Sequence, residues 1–165
     1  MTDKEKQIVI AELLEPNSRL SVEDIALRSG LPAEEVAHLI EHMEQQRIIV
    51  KYKTIINWEA LRDEQAYAFI SVKSSPEPEL GFEGIAERIY SYPEVHSLYL
   101  CSGDFDFMVV VEGRTMKEVA YFVAERLSPI KEVTSTRTQF VLKKYKMDGE
   151  LLVPGRQDRR LPVSP

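Results

Sequence analysis

The chain has one cysteine and one tryptophan in 165 residues, and it is short of positive charge. With Cys101 alone, an intrachain disulfide, a zinc ribbon and a paired-cysteine redox motif are all excluded. Apolar runs such as Phe107 to Val111 are strand-sized, far too short to cross a bilayer. The opening MTDKEKQIVI lacks the basic start and apolar core of a signal peptide, so a cytoplasmic location and no membrane partner are expected. Lysine and arginine number 21 against 27 acids, a formal net charge of −6. A dominant phosphate-binding role usually leaves a positive balance, so any case for nucleic-acid binding has to be local. What is present is ordinary for a soluble globular protein: 44% hydrophobic and 29% charged residues, enough for one domain or two small ones.

The first part of the chain has helical periodicity. Ile10, Leu13 and Leu14 give a short apolar stripe that Pro16-Asn17 ends. Ser21-Val22-Glu23-Asp24 is a helix start, because the serine hydroxyl can accept from the amide three residues on. Gly30 supplies the left-handed residue that stops this helix, and Pro32 suits the first turn of the next. Val36, Leu39, Ile40 and Met43 then recur at i, i+3, i+4 and i+7, the spacing of one buried face. Ile48-Ile49-Val50 and Thr54-Ile55-Ile56, on either side of Lys51 and Lys53, predict a small hairpin or wing. The expected layout over residues 1–60 is a winged helix-turn-helix that binds double-stranded DNA.

From about residue 66 the periodicity changes. Strands are expected over Tyr67–Ser74, Val95–Cys101, Phe105–Glu112 and Val133–Lys144. Helices are expected around Phe82, Ile85, Ala86 and Ile89, and around Met116, Val119, Ala120, Val123 and Leu127. The order βαββαβ over residues 61–146 is ferredoxin-like, which makes the chain α+β. Phe105 to Val111 is apolar at nearly every position, so a sheet covered by helices on one face needs a second subunit on the other. Residues 147–165, rich in Pro, Gly and charge, read as a flexible or partner-clasping tail.

Three stretches carry a family resemblance: SRLSVEDIALRSGL (18–31), PEVHSLYLCSGDFDF (93–107) and STRTQFVLKKYK (135–146). In order and spacing they resemble the Lrp/AsnC, or feast/famine, transcriptional regulators over roughly residues 3–146. The resemblance implies a DNA-binding winged helix-turn-helix followed by a ligand-sensing, dimer-forming βαββαβ domain. It further implies homodimers that assemble into tetramers or octamers, amino-acid effectors, and neither catalysis nor a cofactor. The implied effector residues are Gly103, Asp104, Phe105 and Asp106, with Ser135, Thr136 and Thr138 on the last strand. Physically, two acids beside a glycine turn could hold an ammonium group while backbone amides receive a carboxylate. Asp104 and Asp106 point to one side only if the strand has already begun there; otherwise the segment is a plain hairpin turn.

The helix in the reading position, LPAEEVAHLIEHMEQQ (31–46), departs from the family, whose members carry several basic residues there. This one has four glutamates and no lysine or arginine. Residues 1–60 hold seven basic residues against eleven acids, a net of −4. The positions expected to contact DNA are Ala33, Glu34, Ala37, His38, Glu41 and His42 on that helix, with Arg28, Arg47, Lys51 and Lys53 gripping phosphates. A glutamate about 6 Å from a phosphate costs on the order of 0.7 kcal/mol under water-like screening, which weakens binding without forbidding it. A carboxylate also accepts from cytosine N4, so Glu34 or Glu41 could select sequence. His38 and His42 share a face, and their protonation would take the helix from −4 to −2. HLIEH also matches the H-x-x-E-H pattern of inverted zinc peptidases, but no third ligand follows and no metal is expected. Two other readings stand beside DNA binding: a sensing or interaction protein that has lost it, and an enzyme on this scaffold, since haem-pathway decarboxylases resemble the family too.

Overall fold

The computed structural model describes residues 1–61 and 65–153, divided into two compact units, Met1–Ile55 and Ile56–Pro165. The first unit is three helices: α1 (Asp3–Leu14), α2 (Val22–Ser29) and α3 (Ala33–Gln45). Local chemistry sets their ends. Thr2 and Glu5 form a reciprocal capping box at α1, as Ser21 and Asp24 do at α2. Gly30 takes φ 72°, and its N–H donates to the Ala26 carbonyl, closing α2. Pro32 caps α3 from just outside the helix, one position earlier than its expected place in the first turn. The helices bury Ile10, Leu14, Ile25, Val36 and Leu39 against one another, and Met43 is also sealed from water. Full burial of one such side chain contributes about 1.5–3 kcal/mol, so these few residues hold the unit together.

The expected wing is not formed as a hairpin. Among the described residues, no strand lies between α3 and residue 66. Arg47 takes φ 56°, and the amides of Ile48 and Ile49 both donate to the Met43 carbonyl, at 2.8 and 3.1 Å. The chain then continues without a ladder. Lys51-Tyr52-Lys53 contains no residue that favours the positive φ of a tight hairpin turn, and an isolated two-stranded ribbon is marginal in water.

The second unit is the βαββαβ domain. It contains β1 (Ala66–Ser74), α4 (Gly81–Tyr90), β2 (Val95–Leu100), β3 (Phe107–Gly113), α5 (Met116–Phe122) and β4 (Val133–Phe140). A single π turn, Val123–Leu127, extends α5. The sheet is antiparallel in the order β2-β3-β1-β4. One face carries Ala68, Ile70, Val72, Phe107, Val109 and Val111 against Ile85 and Ile89 of α4 and Val119 and Phe122 of α5. The alternate residues Tyr67, Phe69, Tyr99, Met108 and Val110 lie on the other face, which these helices do not cover.

The C-terminal end of the domain differs from expectation. The last strand stops at Phe140 rather than Lys144, and the expected tail begins with structure. Residues Lys146–Met147 (β5) and Glu150–Leu151 (β6) pair as a hairpin through Asp148 and Gly149, at φ 47° and 88°. Asp-Gly is the sequence that a tight turn of this hand demands. The remainder of that expected tail, residues 154–165, lies outside the described residues.

Candidate DNA-reading face and effector sites

Helix α3 buries Val36, Leu39 and Met43, which fixes what its other faces present. At about 100° per residue, Glu34, His38, Glu41 and Gln45 fall on the opposite side, and all four are exposed. Ala37 and Ala33, also exposed, flank them. The remaining charges on α3 are tied back. Glu35 forms an ion pair with Lys6 of α1, which holds the Lys6 ammonium above its usual pKa although burial opposes the shift. His42 Nδ1 lies 3.2 Å from Gln7 Nε2, also on α1. The Glu44 carboxylate accepts from the Tyr52 hydroxyl at 2.8 Å. The two histidines are therefore not equivalent: His38 faces outward, whereas His42 sits against α1.

Four acids on the reading helix thus reduce to two, Glu34 and Glu41, on the outward side. Glu41 also accepts from Gln45 Nε2 at 3.3 Å. The basic residues Arg28, Arg47, Lys51 and Lys53 are exposed around this helix's ends and beyond it. Among the described residues, no group of three or more His, Cys, Asp or Glu is placed to hold a metal ion.

Tyr52 ties the chain after α3 to the helix itself. Burial first, then the Glu44 carboxylate, pushes its phenol up to about 12 from an ordinary 10.0. Since the folded value is raised, the stabilisation is complete below pH 10 and disappears as pH rises through 12. Thermal melts of the helical unit are expected to lose stability across that window. The same melts of Tyr52→Phe should lose less over it, and identical pH profiles for the two proteins would contradict the assignment.

The turn between β2 and β3 has Gly103 at φ 125°, which accounts for glycine there. The strand, however, begins at Phe107, so Asp104 and Asp106 do not form the same-side pair that an earlier start would give. Asp104 is exposed and Phe105 half-buried. Asp106 acts within the fold: its Oδ2 accepts from the Ser74 N–H at 2.6 Å and the Ser74 hydroxyl at 3.1 Å. Its own N–H donates to the Val72 carbonyl and its carbonyl accepts from Cys101. It therefore clamps the end of β1 to the start of β3. The β4 residues divide by strand alternation. Thr136 and Thr138 stand opposite Val72 and Ile70 on the helix-covered face, and Ser135 stands opposite Lys73 on the other. Thr136 Oγ1 lies 3.3 Å from Ser128 Oγ. Strand alternation therefore puts Ser135 on the opposite face of the sheet from Thr136 and Thr138.

A partly open pocket is present at the other end of the same sheet. Asn57, Trp58, Tyr67, Glu112, Phe140, Lys144 and Leu152 are among the residues lining a cavity of about 180 Å³. No local sequence pattern brings these residues together. The one available signal was a sole tryptophan in an otherwise polar connecting stretch.

A three-helix unit with a helix-turn-helix, followed in the chain by a βαββαβ domain, is the architecture of a two-part regulator. Residues 67–151 match the family model described as the Lrp/AsnC ligand binding domain. The chain is 42% identical to the uncharacterized HTH-type transcriptional regulator YugG of Bacillus subtilis, across 100% of this chain and 99% of that one. It is 27% identical to the HTH-type transcriptional regulator FL11 of Pyrococcus furiosus, across 93% of this chain and 97% of that one. Among solved structures, a Neisseria meningitidis transcriptional regulator in complex with L-Met superposes with TM-score 0.68 at 24% identity, covering 86% of this chain and 91% of that one. The AsnC protein of E. coli gives 0.66 at 22%, covering 87% and 94%. The protein belongs to the Lrp/AsnC family of transcriptional regulators.

Proposed function

We propose that the protein regulates transcription by binding double-stranded DNA through the outward face of α3, as a homodimer assembled on the open face of its sheet. The observation that carries this reading is the division of charge on α3. Glu34, His38, Glu41 and Gln45 lie opposite the buried stripe, while Glu35, His42 and Glu44 contact Lys6, Gln7 and Tyr52. Such a face reads bases mainly with acceptors, which favours cytosine N4 or adenine N6 donors in the major groove. Phosphate attraction then falls to Arg28, Arg47, Lys51 and Lys53, doubled by two-fold symmetry. The apolar positions Tyr67, Phe69, Tyr99, Met108 and Val110 supply the material for the dimer face. The effector is an amino acid or related metabolite at the Gly103 turn, where a second subunit supplies what one chain lacks. Growth of dimers to tetramers or octamers, a cytoplasmic place of action and the absence of catalysis belong to the same reading. Among the described residues, no helix is long and apolar enough to cross a membrane.

The test is DNA binding to the region upstream of the protein's own gene over a range of salt. If all four cations of both protomers contact phosphates, log affinity falls against log salt with a slope of about −7. Lys51→Ala/Lys53→Ala is expected to reduce that slope by about 4 and to weaken all sequences alike. A second reading is favoured by the lack of any lysine or arginine on the outward face of α3. On that reading the protein senses or interacts but has lost DNA binding, and undetectable binding at low salt would select it.

A further inference from the structure

We propose that His38 makes DNA binding pH-dependent: its protonation supplies the one cation on the outward face of α3 and tightens the grip on DNA as pH falls. The inference rests on DNA binding through that face. Histidine is the side chain whose ordinary change of charge falls between pH 5 and 8. Of Glu34, His38, Glu41 and Gln45, only His38 can become positive. It is exposed, and among the described residues it forms no hydrogen bond or ion pair. Glu34 lies four residues before it and Glu41 three residues after, so one carboxylate stands a helical turn away on either side. Neither carboxylate has an ion-pair partner among the described residues. Protonation of His38 therefore takes this face from −2 to −1. DNA phosphates stabilise the imidazolium, so proton uptake and DNA binding reinforce each other.

The surroundings single out His38 from His42 and His96, the other two histidines of the chain. His42 Nδ1 lies 3.2 Å from Nε2 of Gln7 on α1. That amide nitrogen can only donate, so the contact suits a neutral ring. His96 lies on β2, in the other unit. The groups that reach α3 from other segments engage other residues of it. Lys6 of α1, which also lies 3.8 Å from Asp3, pairs with Glu35, and the Tyr52 hydroxyl donates to Glu44. Helix α2 carries Glu23, Asp24 and Arg28; Asp24 closes its own capping box, and none of the three forms an ion pair with α3. Among the described residues, no ion pair therefore offsets the charge that His38 gains.

The test is the salt dependence of binding by the full-length protein to the region upstream of its own gene, at pH 6 and at pH 8. At pH 8 the slope of log affinity against log salt is expected at about −7, from four cations per protomer. At pH 6 it should steepen to about −9, because the two imidazolium groups of a dimer displace two further counterions. Affinity at low salt should rise about ten-fold over the same interval. His38→Gln should show the shallower slope at both pH values. His38→Lys, which stays charged throughout this range, should show the steeper slope at both. His42→Gln and His96→Gln should keep the parental difference of about 2, whatever their affinity. The proposal is overturned if the parental slopes coincide, if the difference survives in His38→Gln, or if it disappears in His42→Gln or His96→Gln. Binding that is absent at both pH values, in His38→Lys as well, would remove the DNA-binding reading together with this one. Measurable binding with coincident slopes would remove this inference alone.

Discussion

Ile25→Ala is expected to abolish DNA binding while the βαββαβ domain stays folded. Ile25 is fully buried in the small cluster formed with Ile10, Leu14, Val36 and Leu39. Truncating a buried isoleucine to alanine costs about 2–5 kcal/mol, from lost burial and from the cavity left behind. A unit spanning Met1–Ile55 has only this one core, and cores of that size rarely supply more than about 3–5 kcal/mol. The loss is therefore comparable with the whole stability of the unit. Ile25→Val, costing about 0.5–1.5 kcal/mol, should remain folded and bind. Amide exchange would show protection lost in residues 1–55 of the alanine variant and retained in the strands of the second unit. Retention of near-parental DNA affinity by Ile25→Ala would refute the idea that this core holds the reading helix in place.

Arg88→Met should be the most damaging charge substitution in the second unit. Glu132 is only 4% exposed, and Arg88 Nη1 donates to both of its oxygens, at 3.0 and 2.9 Å. The pair joins the last turn of α4 to the residue before β4, where the Glu132 carbonyl also accepts from the Ser75 N–H. Removing the guanidinium leaves a buried carboxylate without its partner. Such losses run to about 3–5 kcal/mol, and the half-exposed Arg88 side chain places this one near about 3 kcal/mol. Arg88→Met/Glu132→Met removes the orphaned charge together with its partner and should recover most of the loss. Urea unfolding of the three proteins tests this directly. If the double variant is no more stable than Arg88→Met, the cost comes from packing rather than from the stranded charge.

Much of the fold was legible from short-range chemistry. Ser21 with Asp24, Gly30 at positive φ and the spacing of Val36, Leu39 and Met43 all work within one helix turn or its neighbour, so sequence periodicity exposes them. The order βαββαβ follows for the same reason. The wing misled because Ile48 and Val50 have strand propensity but no turn residue to bring a partner strand back. The hairpin after Lys144 carries a local signal in its Asp148-Gly149 turn, but strands of two residues each are too short to show any alternation.

The sequence by itself determined the helices and the four strands of the main sheet to within a few residues, most of the side chains that enter each core, and the family to which the chain is similar. These depend on neighbours a few residues apart. Only the tertiary structure decided which charges of α3 remain outward, because Lys6, Gln7 and Tyr52 reach that helix from separate segments. It also decided that Asp106 clamps Ser74, and that a cavity forms where Asn57 meets Leu152. Contacts of that kind join residues distant along the chain. Local pattern leaves no trace of them, and only the packing of whole elements brings them into hydrogen-bonding range.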